Sequence, residues 1–197
     1  MIKLRYQRKS ENLFEDPAVA KAIKTLRITL PDYELHDCGK EFLKFERLKE
    51  LYVHSDVEFK SLLPTELGAL KSLEKLTILN FDYREFPNWI LGLKNLKSLT
   101  FRSNGVDTIP EEIGQLKLLS CLRIENCCVK DLPLALRELH ELKQLSLSDN
   151  KYLERINLDC LPKNLRVLNL VMTQVSEDHL LTIKKRFPSL TLNKFVK

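Results

Sequence analysis

Four segments of this chain repeat one spacing of apolar residues at one interval. PTELGALKSLEKLTI from Pro64, PNWILGLKNLKSLTF from Pro87, PEEIGQLKLLSCLRI from Pro110 and PLALRELHELKQLSL from Pro133 each begin 23 residues after the last. In all four, apolar residues fall at offsets 3, 6, 9, 12 and 14 from the proline. A fixed period of this length decides the architecture before local propensity does. Offsets 9, 12 and 14 spell L-x-x-L-x-L, whose last residues alternate as a strand does, while offsets 3, 6 and 9 step as a short helical turn does. Each unit is therefore one turn-like segment followed by one short strand.

The L-x-x-L-x-L core extends outward, from Ile23/Leu26/Ile28 and Leu48/Leu51/Val53 to Leu165/Leu168/Leu170, with a last partial copy at Phe187/Leu190/Leu192. Eight strands are expected, at intervals of 25, 25, 23, 23, 23, 23 and 22. One unit cannot cover its own apolar edge, so neighbours must stack into a continuous core. Successive strands then lie parallel about 4.8 Å apart, giving a sheet about 35 Å long. The turn-like segments are wider than strands and take the opposite face, which bends the stack with the sheet inside.

Residues 96–116, LKSLTFRSNGVDTIPEEIGQL, fill a longer pattern, L-x-x-L-x-L-x-x-N-x-V-x-x-I-P-x-x-I-x-x-L. On this unit and seven consecutive cores, the chain resembles the leucine-rich repeat family from about residue 23 to 192. Its 23-residue I/L-P form looks most like the plant intracellular Ras-group-related class and its bacterial and animal intracellular relatives. The resemblance implies an α/β fold, a leucine-rich repeat solenoid curved like a horseshoe. A parallel β-sheet would line the concave face and short helical or 3-10 segments the convex face. It also implies a ladder of small polar side chains that cap backbone groups between coils. That column reads Pro31, Asp56, Phe81, Asn104, Cys127, Asn150 and Thr173. Pro31 and Phe81 break it, so irregular coils are expected around residues 31–47 and 54–64.

An open stack needs capped ends. Residues 1–22 are expected to form an N-terminal cap, 23–175 the repeats, and 176–197 a C-terminal capping helix and last strand. Asp16-Pro17 before AVAKAIK starts a short helix, and MIKLRY forms either an edge strand or a loose end. Ser176 precedes EDHLLTIKKRF, with acids at the start and bases at the finish, matching the helix dipole. Lys184, Lys185 and Arg186 make that helix either a plain cap or a basic docking site.

Chemistry leaves little trace. The five glycines form no phosphate-binding loop, and C-x-x-C, H-E-x-x-H and G-x-S-x-G are absent. His36, His54, His140 and His179 fall in different coils and do not converge as metal ligands. Five cysteines in a chain large enough to bury a core indicate reduced thiols. No apolar window approaches the roughly 20 residues of a membrane span. The net charge of +5 sits largely at the two ends, without the continuous basic stripe a nucleic-acid backbone needs. The expectation is a cytoplasmic monomer with no cofactor, no metal, no nucleic acid and no membrane partner. Cys121 is the single candidate nucleophile, and no histidine lies on its own or an adjacent strand.

Within each core the leucines point inward, and the residues between and just after them line the concave sheet. One outward column reads Arg27, Tyr52, Thr77, Thr100, Arg123, Ser146, Asn169 and Thr191. The next reads Thr29, His54, Leu79, Arg102, Glu125, Ser148, Val171 and Asn193, followed by Asn80, Asn126, Asp149 and Met172. Three groups are candidate anchors for a protein partner: Tyr52 with His54 and Leu79; Arg102, Arg123, Glu125 and Asp149; and Val167, Val171 and Met172. Aromatic residues, arginine and methionine are enriched at interface hot spots. In the milder alternative the charges neutralise one another in water and the apolar trio is covered by the cap. Trp89 aligns with Glu112 and is expected to be exposed on the turn side as a second contact site. The expected function is non-enzymatic protein binding or scaffolding on the concave face. The alternative is a regulatory subunit or effector acting on a signalling protein such as a small GTPase.

Overall fold

A computed structural model describes residues 2–5, 17–30, 39–59, 62–103 and 105–194. Among these residues, nine parallel strands lie side by side in chain order in one sheet. They are β1 (Ile2–Arg5), β2 (Thr25–Leu30), β3 (Glu50–Phe59), β4 (Lys75–Phe81), β5 (Ser98–Arg102), β6 (Cys121–Glu125), β7 (Gln144–Ser146), β8 (Val167–Asn169) and β9 (Thr191–Asn193). Of the two alternatives for MIKLRY, the edge strand is correct: β1 pairs with β2 in parallel.

The register follows the leucine columns. Leu26, Leu51, Leu76, Leu99, Leu122, Leu145 and Leu168 face one another strand by strand, and each is at most 2% exposed. Stacked leucines on one sheet face fix the pairing, because a one-residue slip would turn the whole column to solvent. One backbone chain threads the entry to the strands: Lys97 N–H donates to Glu74 O, Ser120 to Lys97, Lys143 to Ser120 and Arg166 to Lys143, at 2.8–2.9 Å.

On the opposite face, among the described residues, stand five 3-10 segments, η1 (Thr65–Ala69), η2 (Asn88–Gly92), η3 (Glu111–Gln115), η4 (Leu134–Glu138) and η5 (Leu158–Cys160). The first four follow an extended proline that sets the entry but donates no hydrogen bond. Their apolar offsets of three suit a helix with three residues per turn, which eclipses i and i+3. Leu67, Ile90, Ile113 and Leu136 are thereby fully buried. Coils touch closely here, for a Cβ added at Gly114 would lie 2.8 Å from the Ala135 Cβ.

Helix α1 (Pro17–Ala22) and the single turn α2 (Gly39–Phe42) precede the regular coils. The expected irregularity around residues 54–64 is present, with ten residues in β3 and a register shift between His54 and Phe59. The expected irregular stretch 31–47 falls partly outside the described residues, as do Asp16, Pro31, His36, Cys38, Asn104 and the side chain of Asp56. Phe81 does not cap a coil but lies in the core, 2% exposed. Ser103 supplies the polar link at this place. Its hydroxyl accepts from Tyr83 N–H at 3.0 Å and donates to Phe81 O at 2.7 Å. Asn150 is the full ladder residue: its nitrogen donates to Ile124 O and Leu147 O, and its oxygen accepts from Val129 N–H. Cys127 and Thr173 are buried and bond the carbonyls of Glu125 and Leu170 in their own coils.

Two expectations are corrected. The last strand sits two residues later than the spacing indicates, since Leu192 rather than Leu190 faces Leu168, and Asn193 rather than Thr191 faces Asn169. Helix α3 (Glu177–Arg186) runs up to Phe187, whose amide still bonds Ile183 O, so Phe187 cannot open a strand core. Trp89 is half-buried against the core, and its indole nitrogen is buried with no partner of ordinary hydrogen-bond geometry among the described residues. Gly68 admits this packing, because a Cβ there would lie 2.8 Å from Trp89 O.

Ser176 caps α3 by accepting from His179 N–H, and Ile183 is fully buried. Of the three bases at its end, Arg186 pairs with Asp159 and Lys184 bonds Leu190 O, so two are held by the chain itself.

Candidate partner-binding face

The concave columns rest on the same register that buries the leucines. Arg27, Tyr52, Thr77, Thr100, Arg123, Ser146 and Asn169 face one another in one row, and Thr29, His54, Leu79, Arg102 and Glu125 in the next. Tyr52, His54, Leu79, Arg102, Arg123 and Glu125 therefore share one surface across β3 to β6. Asp149, Val171 and Met172 lie farther along, at the turns leaving β7 and β8.

The aromatic group is larger than its two expected members. The Arg27 guanidinium sits 5.1 Å from the centre of the Tyr52 ring, a cation–π contact. The Tyr52 and His54 rings lie 6.5 Å apart at 41°. His54 Nε2 is 3.0 Å from the Asn80 side-chain nitrogen, which can only donate, so Nε2 is the acceptor. Arg27 and Asn80 were not picked out by sequence. Their signal was present, because Arg27 precedes Tyr52 by one interval of 25 in the same column.

The charged group does not neutralise itself. Glu125 accepts from the Ser146 hydroxyl at 2.6 Å, and Ser146 accepts from the Asn169 amide at 3.0 Å. Arg102 and Arg123 are exposed and form no ion pair among the described residues, whereas Arg84 and Arg186 do pair with neighbouring aspartates. Two neighbouring unpaired guanidiniums favour an approaching carboxylate, to which each can present a planar fork of donors.

Four of the coils leave the sheet through a tight turn of one kind. Asn80, Asn126, Asp149 and Met172 occupy the same repeat position with φ between 50° and 62°, the left-handed region. Asparagine and aspartate tolerate it, and methionine does so at a cost. Met172 is nevertheless 46% exposed, while Val167 and Val171 are half-buried.

Cys121 is half-buried, with its sulfur 3.8 Å from the Gln144 side-chain oxygen. Burial pushes the Cys127 and Cys160 thiols up to about 12. Among the described residues no three histidine, cysteine or carboxylate groups gather as a metal site, and no helix is long and apolar enough to cross a membrane.

In comparison with solved structures, the chain is similar to a leucine-rich repeat protein of Leptospira interrogans, with a TM-score of 0.68 and 24% identity. The match covers 90% of this chain and 51% of that one. It is also similar to a chain in the Toll–Spatzle complex of Drosophila, with a TM-score of 0.66 and 14% identity, over 98% of this chain and 30% of that one. The chain thus spans about half the length of the first and under a third of the second. No curated protein sequence matches. A family model described as a leucine-rich repeat region matches residues 42–191. The chain belongs to the leucine-rich repeat family.

Proposed function

We propose that this chain is a non-enzymatic module that binds a protein partner on its concave sheet, within repeats 23–175 closed by end segments 1–22 and 176–197. One observation carries the reading. The sheet's inward columns are uniform and buried, while its outward columns present Arg27, Tyr52, His54 and Leu79 beside two arginines that form no ion pair among the described residues. Such a surface offers an aromatic anchor and guanidinium forks held on a rigid frame, the combination that dominates interface energetics. The structural neighbour solved in the Toll–Spatzle complex supports partner binding by this fold in general terms.

Affinity capture from the native lysate, repeated with Arg102→Glu/Arg123→Glu, tests it. The partner should be retained by the native chain and weakened at least tenfold by the double substitution. Undiminished retention would remove the binding site from this surface.

A further inference from the structure

We propose that the edge of the solenoid at the last two regular coils holds a phosphate-binding site formed by His140, Lys143, Lys163 and Arg166. The site lies away from the concave face and does not depend on the function assigned to that face.

The repeat makes the argument. Seven residues after the start of each unit stand Lys71, Lys94, Lys117, His140 and Lys163, a basic column along the edge where each coil turns into the sheet. The first three members are satisfied by the next coil. Lys71 donates to Gly92 O at 3.1 Å, Lys94 to the Gln115 side chain at 2.6 Å, and Lys117 pairs with Glu138 at 2.7 Å. Gly92, Gln115 and Glu138 occupy one repeat position, and its next occupant is Leu161, which is buried and offers His140 nothing.

A second column changes in the same direction. Glu74 takes Lys49 and Lys97 on either side, but the equivalent residues farther along are Ser120, Lys143 and Arg166. Both compensating acids are therefore missing from the same two coils. His140, Lys143, Lys163 and Arg166 are exposed and form no ion pair among the described residues.

These four groups line one depression of about 390 Å³. Its frame is fixed, since Arg166 N–H donates to Lys143 O at 2.9 Å and the Asn164 amide to His140 O at 3.1 Å. Glu141 is the one carboxylate among the described lining residues and opposes an anion. Lys143, Lys163 and Arg166 outnumber that single carboxylate and repel one another, and a multiply charged phosphate relieves the repulsion while taking the forked donors of Arg166.

Adjoining it, and sharing His140, Lys163 and Asn164, is a groove of about 950 Å³ with Leu134, Leu158 and Phe187 on its walls. The carboxylates among its lining residues are already paired, Glu138 with Lys117 and Asp159 with Arg186. A phosphate beside an apolar side chain fits the two together, which favours a phosphorylated segment of a protein over a free phosphate compound.

Calorimetric titration of the chain at low ionic strength tests the site with inorganic pyrophosphate, a phosphoserine peptide carrying a neighbouring leucine, and the same peptide without phosphate. At least one phosphate probe should bind saturably, and the unphosphorylated peptide should not. Lys163→Gln/Arg166→Gln should weaken binding at least tenfold, Lys71→Gln should leave it unchanged, and Glu141→Gln should tighten it. All of these positions are exposed, and circular dichroism checks that each variant keeps the native spectrum. Tighter binding of the phosphopeptide assigns the phosphate to a protein, and equal binding of pyrophosphate assigns it to a free compound. Absence of saturable binding by both phosphate probes, or binding unaffected by Lys163→Gln/Arg166→Gln, overturns the proposal.

Discussion

The side-chain nitrogen of Asn150 donates to the carbonyl of Ile124, one coil earlier, at 2.8 Å, while its oxygen accepts the Val129 amide at 3.1 Å. The residue is fully buried, so removing its side chain strands backbone groups that water cannot reach. Asn150→Ala should cost about 2 to 4 kcal/mol, the scale of several buried unsatisfied groups. Urea unfolding measures it, and a loss below that of an exposed substitution would deny the ladder its role.

Met172 holds a left-handed backbone at φ 59° where equivalent coils carry Asn80, Asn126 and Asp149. Met172→Asn should stabilise the fold by about 0.5 to 1 kcal/mol, because asparagine accepts this conformation at lower cost. If Met172 also touches the partner, the same variant will be more stable yet captured less well. A lowered thermal midpoint would show that the methionine packs more than its exposure indicates.

Lys49 and then Lys97 hold the Glu74 carboxyl at about 2, below its usual 4.5. A carboxylate depressed in the folded state stabilises above its unfolded value, and that contribution disappears as pH falls through the folded one. The urea midpoint of the native chain should exceed that of Glu74→Gln at neutral pH, with the gap closing between pH 4.5 and about 2. The pairs are exposed, so concentrated salt should narrow the gap at every pH. A gap that widens on acidification would contradict the assignment.

Burial raises the Cys127 and Cys160 thiols to about 12, leaving almost no thiolate at neutral pH. Peptide mapping after brief iodoacetamide treatment should find both unmodified in the native chain and modified in urea. Fast native labelling of Cys160 would indicate that the coil around η5 opens.

Gly114 faces Ala135 across two coils, and an added Cβ would also come within 2.9 Å of the Ala135 carbonyl oxygen. Gly114→Ala should therefore cost about 1 to 3 kcal/mol as overpacking, even though alanine favours helical backbone. Calorimetric melting would reveal a neutral outcome, which would mean that the coils separate readily.

The leucine columns were legible because burial on one sheet face imposes a strict spacing, and the structure keeps that register from Leu26 to Leu168. Legibility ended where something other than spacing decides the outcome. Phe187 has the right spacing to open the last strand, but α3 claims its amide, so Leu192 slides into line instead. Trp89 shares its position with Glu112, yet a wide apolar ring beside Gly68 folds down against the core. On the concave face the columns could be read, while the contacts between them could not. Arg27 over Tyr52 and Ser146 on Glu125 depend on how side chains turn once the strands are adjacent.

Left-handed residues at Asn80, Asn126, Asp149 and Met172 mean that the chain leaves the sheet in the same posture in four coils, the last three of them consecutive. A segment running from one such turn to the next is interchangeable in its ends, whatever its outward residues are. Duplication or excision of one such block would lengthen or shorten the recognition surface without changing the cross-section that stabilises it. In a molecule of this kind reach and stability are separate inheritances, and the breadth of what it grasps can be altered by copying.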